Sequence, residues 1–368
     1  METFELPTIT SGESLATEIC ESLQQEFNID IKGLLTTPGL SDKERIKLAA
    51  SHLVENIFLK AHAEQREDYD LLSSNNLSDI VAQAIETEPN ISYSQKDALA
   101  LTRLQGDELK NYVYNLAKRF EMMSKSKSPG QLVAELAGSA LMSVGVAMGK
   151  EVIKNLIAKQ ALKTAMLNGI KSIGMGTIMV TVALVLVGLL YYLLVDNPKK
   201  ILGLVVNNTD ENFVVHNYTR SDGDLCMVHG QMVNFMEDLS DGIEGPKVQL
   251  KERLNFGEGD EENMVFAGIY FADRNVGFRG SEGLALFSSK SNDNFKFAHM
   301  FAVPYTNDNR TNMRLLNARP GNLETLFREL YNPNKQRVDF VENGYRLVST
   351  VNHARGGVVA CIAFIGKV

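Results

Sequence analysis

The chain is predicted to be an α+β protein of two domains, an N-terminal α-helical bundle with central hydrophobic helices and a C-terminal antiparallel β-sandwich. Three observations predict it. Apolar residues recur at threes and fours through the first 130 residues, the period of helices buried on one face. Between Lys171 and Asp196 the chain carries no charge. From Ile201 onward the period changes to short β-rich runs parted by Gly, Asn and Asp.

Composition narrows the function classes. The 368 residues are 44% hydrophobic, enough to bury a core and against wholesale disorder. With 37 Lys and Arg against 45 Asp and Glu, the net charge of −8 argues against a protein built to neutralise nucleic-acid phosphates. Charge also divides the chain. Residues 1–130 carry 13 basic and 21 acidic groups, residues 131–200 carry 7 and 3, and residues 201–368 carry 17 and 21. We read these as an acidic helical cover, a hydrophobic helical hairpin and a β-sandwich. Cys20, Cys226 and Cys361 lie far apart without a CxxC pair, so neither a disulfide framework nor a thiolate zinc site is indicated.

The first helix falls at about Glu13–Phe27. Ser41-Asp42-Lys43-Glu44 has the form of a capping box, and Ile46, Leu48, Ala49, Leu53, Ile57, Phe58 and Ala61 then follow a helical stripe. A shorter run covers Leu77–Glu86, and a longer one starts near Ser94 and reaches Phe120. Met1–Leu15 has Glu2, Glu5 and Glu13 and no basic residue, unlike a secretory signal, so export would use a non-classical route. The polar stretch Ser124–Gly130 breaks the helix before it.

Ile173–Val195 as a helix would extend roughly 34 Å against about 30 Å of bilayer hydrocarbon. Ile173, Ile178, Val182, Val185 and Leu189 are its candidate membrane-inserting residues, and Tyr191 and Tyr192 form an interfacial flank beside Asp196, Lys199 and Lys200. Leu136–Gly149 is also uncharged and small-residue-rich, but at about 21 Å it is a packing or partial second arm. Lys150, Lys154, Lys159 and Lys163 mark a connector with lysines on opposite sides of a helix. Two readings stay open here: an inserting hairpin, or the buried centre of a bundle, which is also apolar all round.

Strands are expected at Ile201–Val206, Phe213–Tyr218, Val248–Leu254, Met264–Phe271, Leu284–Phe287, Phe295–Val303, Tyr345–Val351 and Val358–Ile365. One helix, Asn322–Tyr331, interrupts them and stops at Pro333. No catalytic constellation emerges. The six histidines lack metal-ligand spacing, and His299 sits in an apolar strand-like run where a core role is favoured. Gly280-Ser281-Glu282-Gly283 lacks the first glycine of G-x-S-x-G and is read as a turn. Glu258–Glu262 reads as a solvated loop, not a calcium site. No enzyme activity, cofactor or metal is expected.

Three linked motifs nevertheless resemble a known family. Gly280–Phe287 is similar to a glycine-bracketed turn entering a strand; Phe297-Ala298-His299-Met300-Phe301-Ala302-Val303-Pro304-Tyr305 to an apolar strand ending in Val-Pro-Tyr; Leu326-Phe327-Arg328-Glu329-Leu330-Tyr331-Asn332-Pro333 to a short tyrosine-bearing helix. In this order and spacing they resemble the actinoporins, the sea anemone cytolysins, across residues 201–368. The resemblance implies a β-sandwich that holds a phosphocholine head group, after which a helix inserts and subunits oligomerise into a pore. Pro304 and Tyr331 match its head-group positions. Ala302 stands where the family has serine, and Phe327 and Arg310 stand where it has tyrosines. Pro304, Tyr305, Arg310, Phe327 and Tyr331 are therefore the head-group candidates, with a glycan head group as the other ligand class.

Both lines converge on a pore-forming cytolysin: a soluble monomer that binds membrane lipid through the β-sandwich, releases a hydrophobic helix and oligomerises on the bilayer. The alternative is a membrane-anchored, lectin-like or receptor protein with a resident transmembrane helix.

Overall fold

A computed structural model describes residues 11–66, 69, 90–138, 167, 170–171, 174–194, 198–215, 223–233, 264–274 and 277–368. Outside these lie the expected Leu77–Glu86 helix, most of the Leu136–Gly149 arm, the lysine connector, Ile173, the Val248–Leu254 strand and the acidic loop at Glu258–Glu262.

The N-terminal segment supplies α1 (Gly12–Phe27), α2 (Ile31–Leu35) and α3 (Asp42–Ala63). Each is started by a side-chain cap that satisfies an otherwise orphaned amide: Ser11 accepts from Ser14, and Asp30 from Gly33. At α3 the capping box is complete, Ser41 and Glu44 bonding each other's backbone. After β1 (Asn90–Ser94) come α4 (Gln95–Leu101), α5 (Gly106–Ser124) and α6 (Pro129–Gly138). The stretch expected to be one helix from near Ser94 to Phe120 is thus two helices, preceded by a strand that was not expected. Ile91 and Tyr93 alternate with serines and are both buried, which is the period of a strand. Gly106, at φ +54, is the first residue of α5 and follows the break.

The apolar helix α7 (Met175–Leu194) begins after Gly174, whose φ of +90 no helix interior adopts. Its 20 residues fall within the expected Ile173–Val195, and Ile173 and Val195 themselves lie outside the described residues. Among the described residues, no helix is long and apolar enough to cross a membrane, so a bilayer-length span is not met there.

The sandwich follows. One sheet runs β1–β6–β2–β12–β11–β10, with β5 also on β6, and the second runs β3–β7–β8–β9, with β4 on β7. Their ranges are β2 Lys200–Asn208, β3 Phe213–Val214, β4 Leu225–His229, β5 Gln231–Met232, β6 Met264–Asp273, β7 Ser281–Ser289, β8 Lys296–Val303 and β9 Arg310–Leu316. Next come α8 Leu323–Tyr331, β10 Arg337–Glu342, β11 Tyr345–Val351 and β12 Val358–Lys367. All pairs are antiparallel except β2 with β12. Ser281–Gly283, expected as a turn, is instead the start of β7, because Ser281 pairs with Val303 across the sheet.

Four layers result. The inner faces of the two sheets meet through Ile201, Val205, Tyr270, Phe287, Phe297, Phe301 and Cys361. The outer face of the first sheet, with Leu202, Leu204, Ile269, Phe271, Ile362 and Phe364, shares one core with the helices. The outer face of the second packs under α8 through Leu284, Met300, Leu326, Phe327 and Leu330. Sheet strands buried on both faces need apolar residues at every position, which is why β2 reads Ile-Leu-Gly-Leu-Val-Val without alternation. Helix α7 packs against α1, α3, α5 and this sheet, and its described side chains are buried apart from partial exposure at Thr181 and Leu194.

His299 is fully buried, and its Nε2 lies 2.9 Å from the Tyr270 hydroxyl. Burial holds its imidazole down to about 3. Gly203 makes room for this pair, since a Cβ there would meet the Tyr270 ring at 1.9 Å. Burial also pushes the Cys361 thiol up to about 11, so it packs as a small apolar group.

Two outcomes follow. Leu189→Ala, at a position with no exposure, should cost about 2–5 kcal/mol of unfolding free energy in urea titrations. His299 is neutral when folded and gains a proton on unfolding below pH ~6.5. Its contribution is therefore complete above that pH and is lost, at up to about 1.4 kcal/mol per pH unit, as pH falls toward the folded value. His299→Gln should flatten that dependence in the difference between the two proteins' unfolding curves.

Candidate head-group cleft

A cleft of about 710 Å³ opens at one end of the sandwich. Its walls come from four separate stretches: the end of β4 at Val228 and His229, the approach to β7 at Phe278–Glu282, the loop after β8 at Pro304–Asn307, and α8. Strand pairing brings them together. His229 pairs with Glu282, and Ser281 with Val303, so the ends of β4, β7 and β8 fall side by side. Helix α8 closes the wall because Asn322 caps it, accepting from Thr325, and Leu326, Phe327 and Leu330 anchor it to the sheet.

Two exposed aromatic rings stand at the mouth. Phe278 is 82% exposed and Tyr305 39%, and the two meet edge to face at 5.3 Å. Phe327 and Tyr331 lie 5.3 Å apart on α8. The guanidinium of Arg310 stands 4.0 Å from the centre of the Tyr331 ring, and its Nη1 donates to the Tyr331 carbonyl at 3.1 Å. At the rim, the Lys199 ammonium is 5.8 Å from the Tyr305 ring.

Charge in the cleft is mixed. Glu282 is 7% exposed, and burial raises its carboxyl above the ordinary range, opposed by His229 and Arg310. Burial and the nearby Glu282 raise the Tyr331 phenol, with Arg310 acting against them. Arg279 and Arg328 add two guanidinium groups to the lining. The arrangement can hold a cation against ring faces and a carboxylate, and an anion against the guanidinium groups.

The structure brings four of the expected head-group residues into this lining: Pro304, Tyr305, Phe327 and Tyr331. Phe327 contributes from below, only 3% exposed, and chiefly fixes α8 to the sheet. Arg310 does not line the cleft; it supports the Tyr331 ring from behind. Sequence reasoning missed His229, Phe278, Arg279, Glu282, Glu324 and Arg328. An aromatic residue at the tip of a polar loop, Phe278, was the only local signal.

Of the expected inserting residues, Ile178, Val182, Val185 and Leu189 are buried within α7's protein surroundings. Tyr191 and Tyr192 do not form an interfacial flank here. Both rings pack edge to face on Phe271 of β6, at 5.3 and 5.7 Å, because the end of α7 lies over the outer face of that sheet.

No protein-family model matches the chain, and no curated protein matches it in sequence. Among solved structures it is similar to the lipid binding protein Nakanori, with 11% identity and a TM-score of 0.32 over 46% of this chain and 72% of that one. It is also similar to the RahU protein, solved with a TRIS molecule, at 10% identity and a TM-score of 0.26 over 46% of this chain and 96% of RahU. Likeness at this level defines neither a family nor a ligand. The β-sandwich implied by the actinoporin resemblance is present, while membership of the actinoporins is not shown.

Burial of Glu282 makes its charge unfavourable in the folded state. Because its folded pKa is raised, the penalty is absent at low pH and grows as pH rises through the unfolded value near ~4.3. Glu282→Gln should therefore raise the urea midpoint at neutral pH and leave it unchanged below pH ~4.

Proposed function

We propose that the protein docks on membranes through the cleft at Phe278, Glu282, Tyr305 and Tyr331, taking a zwitterionic lipid head group. A quaternary ammonium is attracted to aromatic faces and a carboxylate, and a phosphate to arginines, and the cleft offers both within one concavity. The exposed Phe278–Tyr305 pair gives the rim an apolar edge for the interfacial region of a bilayer.

Docking is the first step of pore formation in this reading. The observation that carries the second step is the position of α7. This helix is apolar on every face, is enclosed by protein, and leads within a few residues to Lys199, which stands over Tyr305. Each buried Val, Leu or Ile of α7 contributes about 1.5–3 kcal/mol relative to water. Exposure to water is therefore prohibitive, and only another apolar medium can receive the helix. A bilayer supplies one, so lipid biases a switch between covered and inserted states. The span would be completed by Ile173 and Val195, which flank α7 in the sequence. The enclosure of α7 favours this reading over a resident anchor.

Protein purified without detergent should pellet with phosphatidylcholine or sphingomyelin vesicles and release entrapped dye, and phosphatidylglycerol vesicles should capture it less. Phe278→Ala with Tyr305→Ala should weaken pelleting roughly tenfold, in line with loss of cation–π and interfacial contacts. Val185→Lys should abolish release, with pelleting as the check that the variant still folds. Pelleting that ignores the aromatic pair would overturn the head-group reading. Capture without release, together with unchanged hydrogen exchange in α7, would remove pore formation.

A further inference from the structure

A second cleft, of about 380 Å³, lies at the opposite end of the sandwich. It is formed by the turn before β8, the end of β9 and the β10–β11 hairpin. Strand β8 separates it from the head-group cleft, and its eight residues place the two about 25 Å apart. We propose that this second cleft binds a neutral saccharide.

Its lining has the two features that sugars require. Four asparagines, Asn292, Asn294, Asn317 and Asn343, present amides around it, and among the described lining residues Glu342 is the one that is charged. Some of these have structural duties. Asn292 accepts from the Asn294 amide at 3.1 Å, and Asn343, at φ +51 beside Gly344 at φ +80, makes the two-residue turn of the hairpin. Among the described residues no hydrogen bond engages the side-chain amides of Asn294 and Asn317, and both residues are exposed. Each offers two donors and an acceptor, a complement to vicinal hydroxyls. Among the described lining residues none is a cation that could serve a phosphate or carboxylate ligand as counter-charge.

The floor is aromatic. Tyr345 is half-buried and meets Phe295 at 4.5 Å, with their planes tilted by 33°. It is the outermost ring of a ladder that runs back into the core: Phe295 to Phe213 at 5.2 Å, Phe213 to Phe297 at 4.9 Å, and Phe297 stacked on Phe287 at 4.5 Å. A ring fixed from behind in this way loses little freedom on receiving a ligand. The apolar C–H face of a pyranose packs on such a ring while its hydroxyls bond to amides. This inference stands on a separate cleft and does not depend on the head-group reading.

The test uses the full chain and saturation-transfer NMR with methyl glycosides of glucose, galactose, mannose and N-acetylglucosamine at millimolar concentration, with a microarray of neutral glycans alongside. At least one neutral saccharide should bind. Asn294→Ala with Asn317→Ala should weaken it roughly tenfold or more through lost hydrogen bonds, with the urea midpoint unchanged because both side chains are exposed. Tyr345→Ala should also abolish binding, and Phe278→Ala, in the other cleft, should not. The proposal is overturned by absence of binding to every glycan, by binding that survives loss of both asparagines, or by binding that requires Phe278.

Discussion

The first sheet of the sandwich carries apolar side chains on both faces, and the rest of the molecule is arranged to keep both dry. Along β2, β6 and β12 successive residues alternate between the sandwich core and the helical core, so β2 is buried throughout and β12 is exposed only at its end residues Val358 and Lys367. A sheet of this kind cannot stand as the outer wall of a sandwich; its outer face needs a cover of matching area. Helices α1, α3 and α5, with α7 beneath them, are that cover. Strand β1 completes it at the edge, pairing with β6 and occupying backbone groups that would otherwise be open to another chain.

Sealing α7 therefore serves two partners at once. The helix needs burial because it has no polar face, and the sheet needs it because Phe271, Ile362 and Phe364 point outward. Removing α7 would leave two apolar surfaces exposed, not one. That double cost ties any release of the helix to an event that also covers the sheet or occupies the helix elsewhere. Tyr191 and Tyr192 on Phe271 of β6, and Lys200 of β2 5.4 Å from the Tyr192 ring, bind its C-terminal end to the first sheet.

The interior of the sandwich is specified by a small polar node. Tyr270, His299, Thr311, Ser349 and Cys361 meet between the sheets, with the Thr311 hydroxyl donating to the Met300 carbonyl at 3.1 Å. Such a buried network fixes register, because a slip by one residue would strand a polar group in the core. The same register aligns the ends of β4, β7 and β8 at one rim and those of β8, β9 and β11 at the other, which is how two clefts of unlike chemistry arise on one scaffold.

By itself the sequence determined the elements whose signal is local. Periodicity marked α3 and α5, Ser41 and Glu44 marked a helix start, Asn322 and Pro333 bracketed α8, and the change of period near Ile201 announced the sandwich. It also marked Tyr305 and Tyr331 as cleft residues, through the resemblance of their motifs. Tertiary structure alone decided what rests on pairing. Asn90–Ser94 becomes a strand because β6 offers an open edge, and Ser281–Gly283 joins a strand because Val303 lies opposite. His229, Phe278, Glu282 and Arg328 share a cleft although about a hundred positions separate the first from the last. An apolar run of twenty residues reads the same to solvent whether lipid or protein surrounds it; only the two-faced sheet showed that protein does so here. Local chemistry is written residue by residue, whereas adjacency is a property of register, and register is settled only when both faces of a sheet have found their partners.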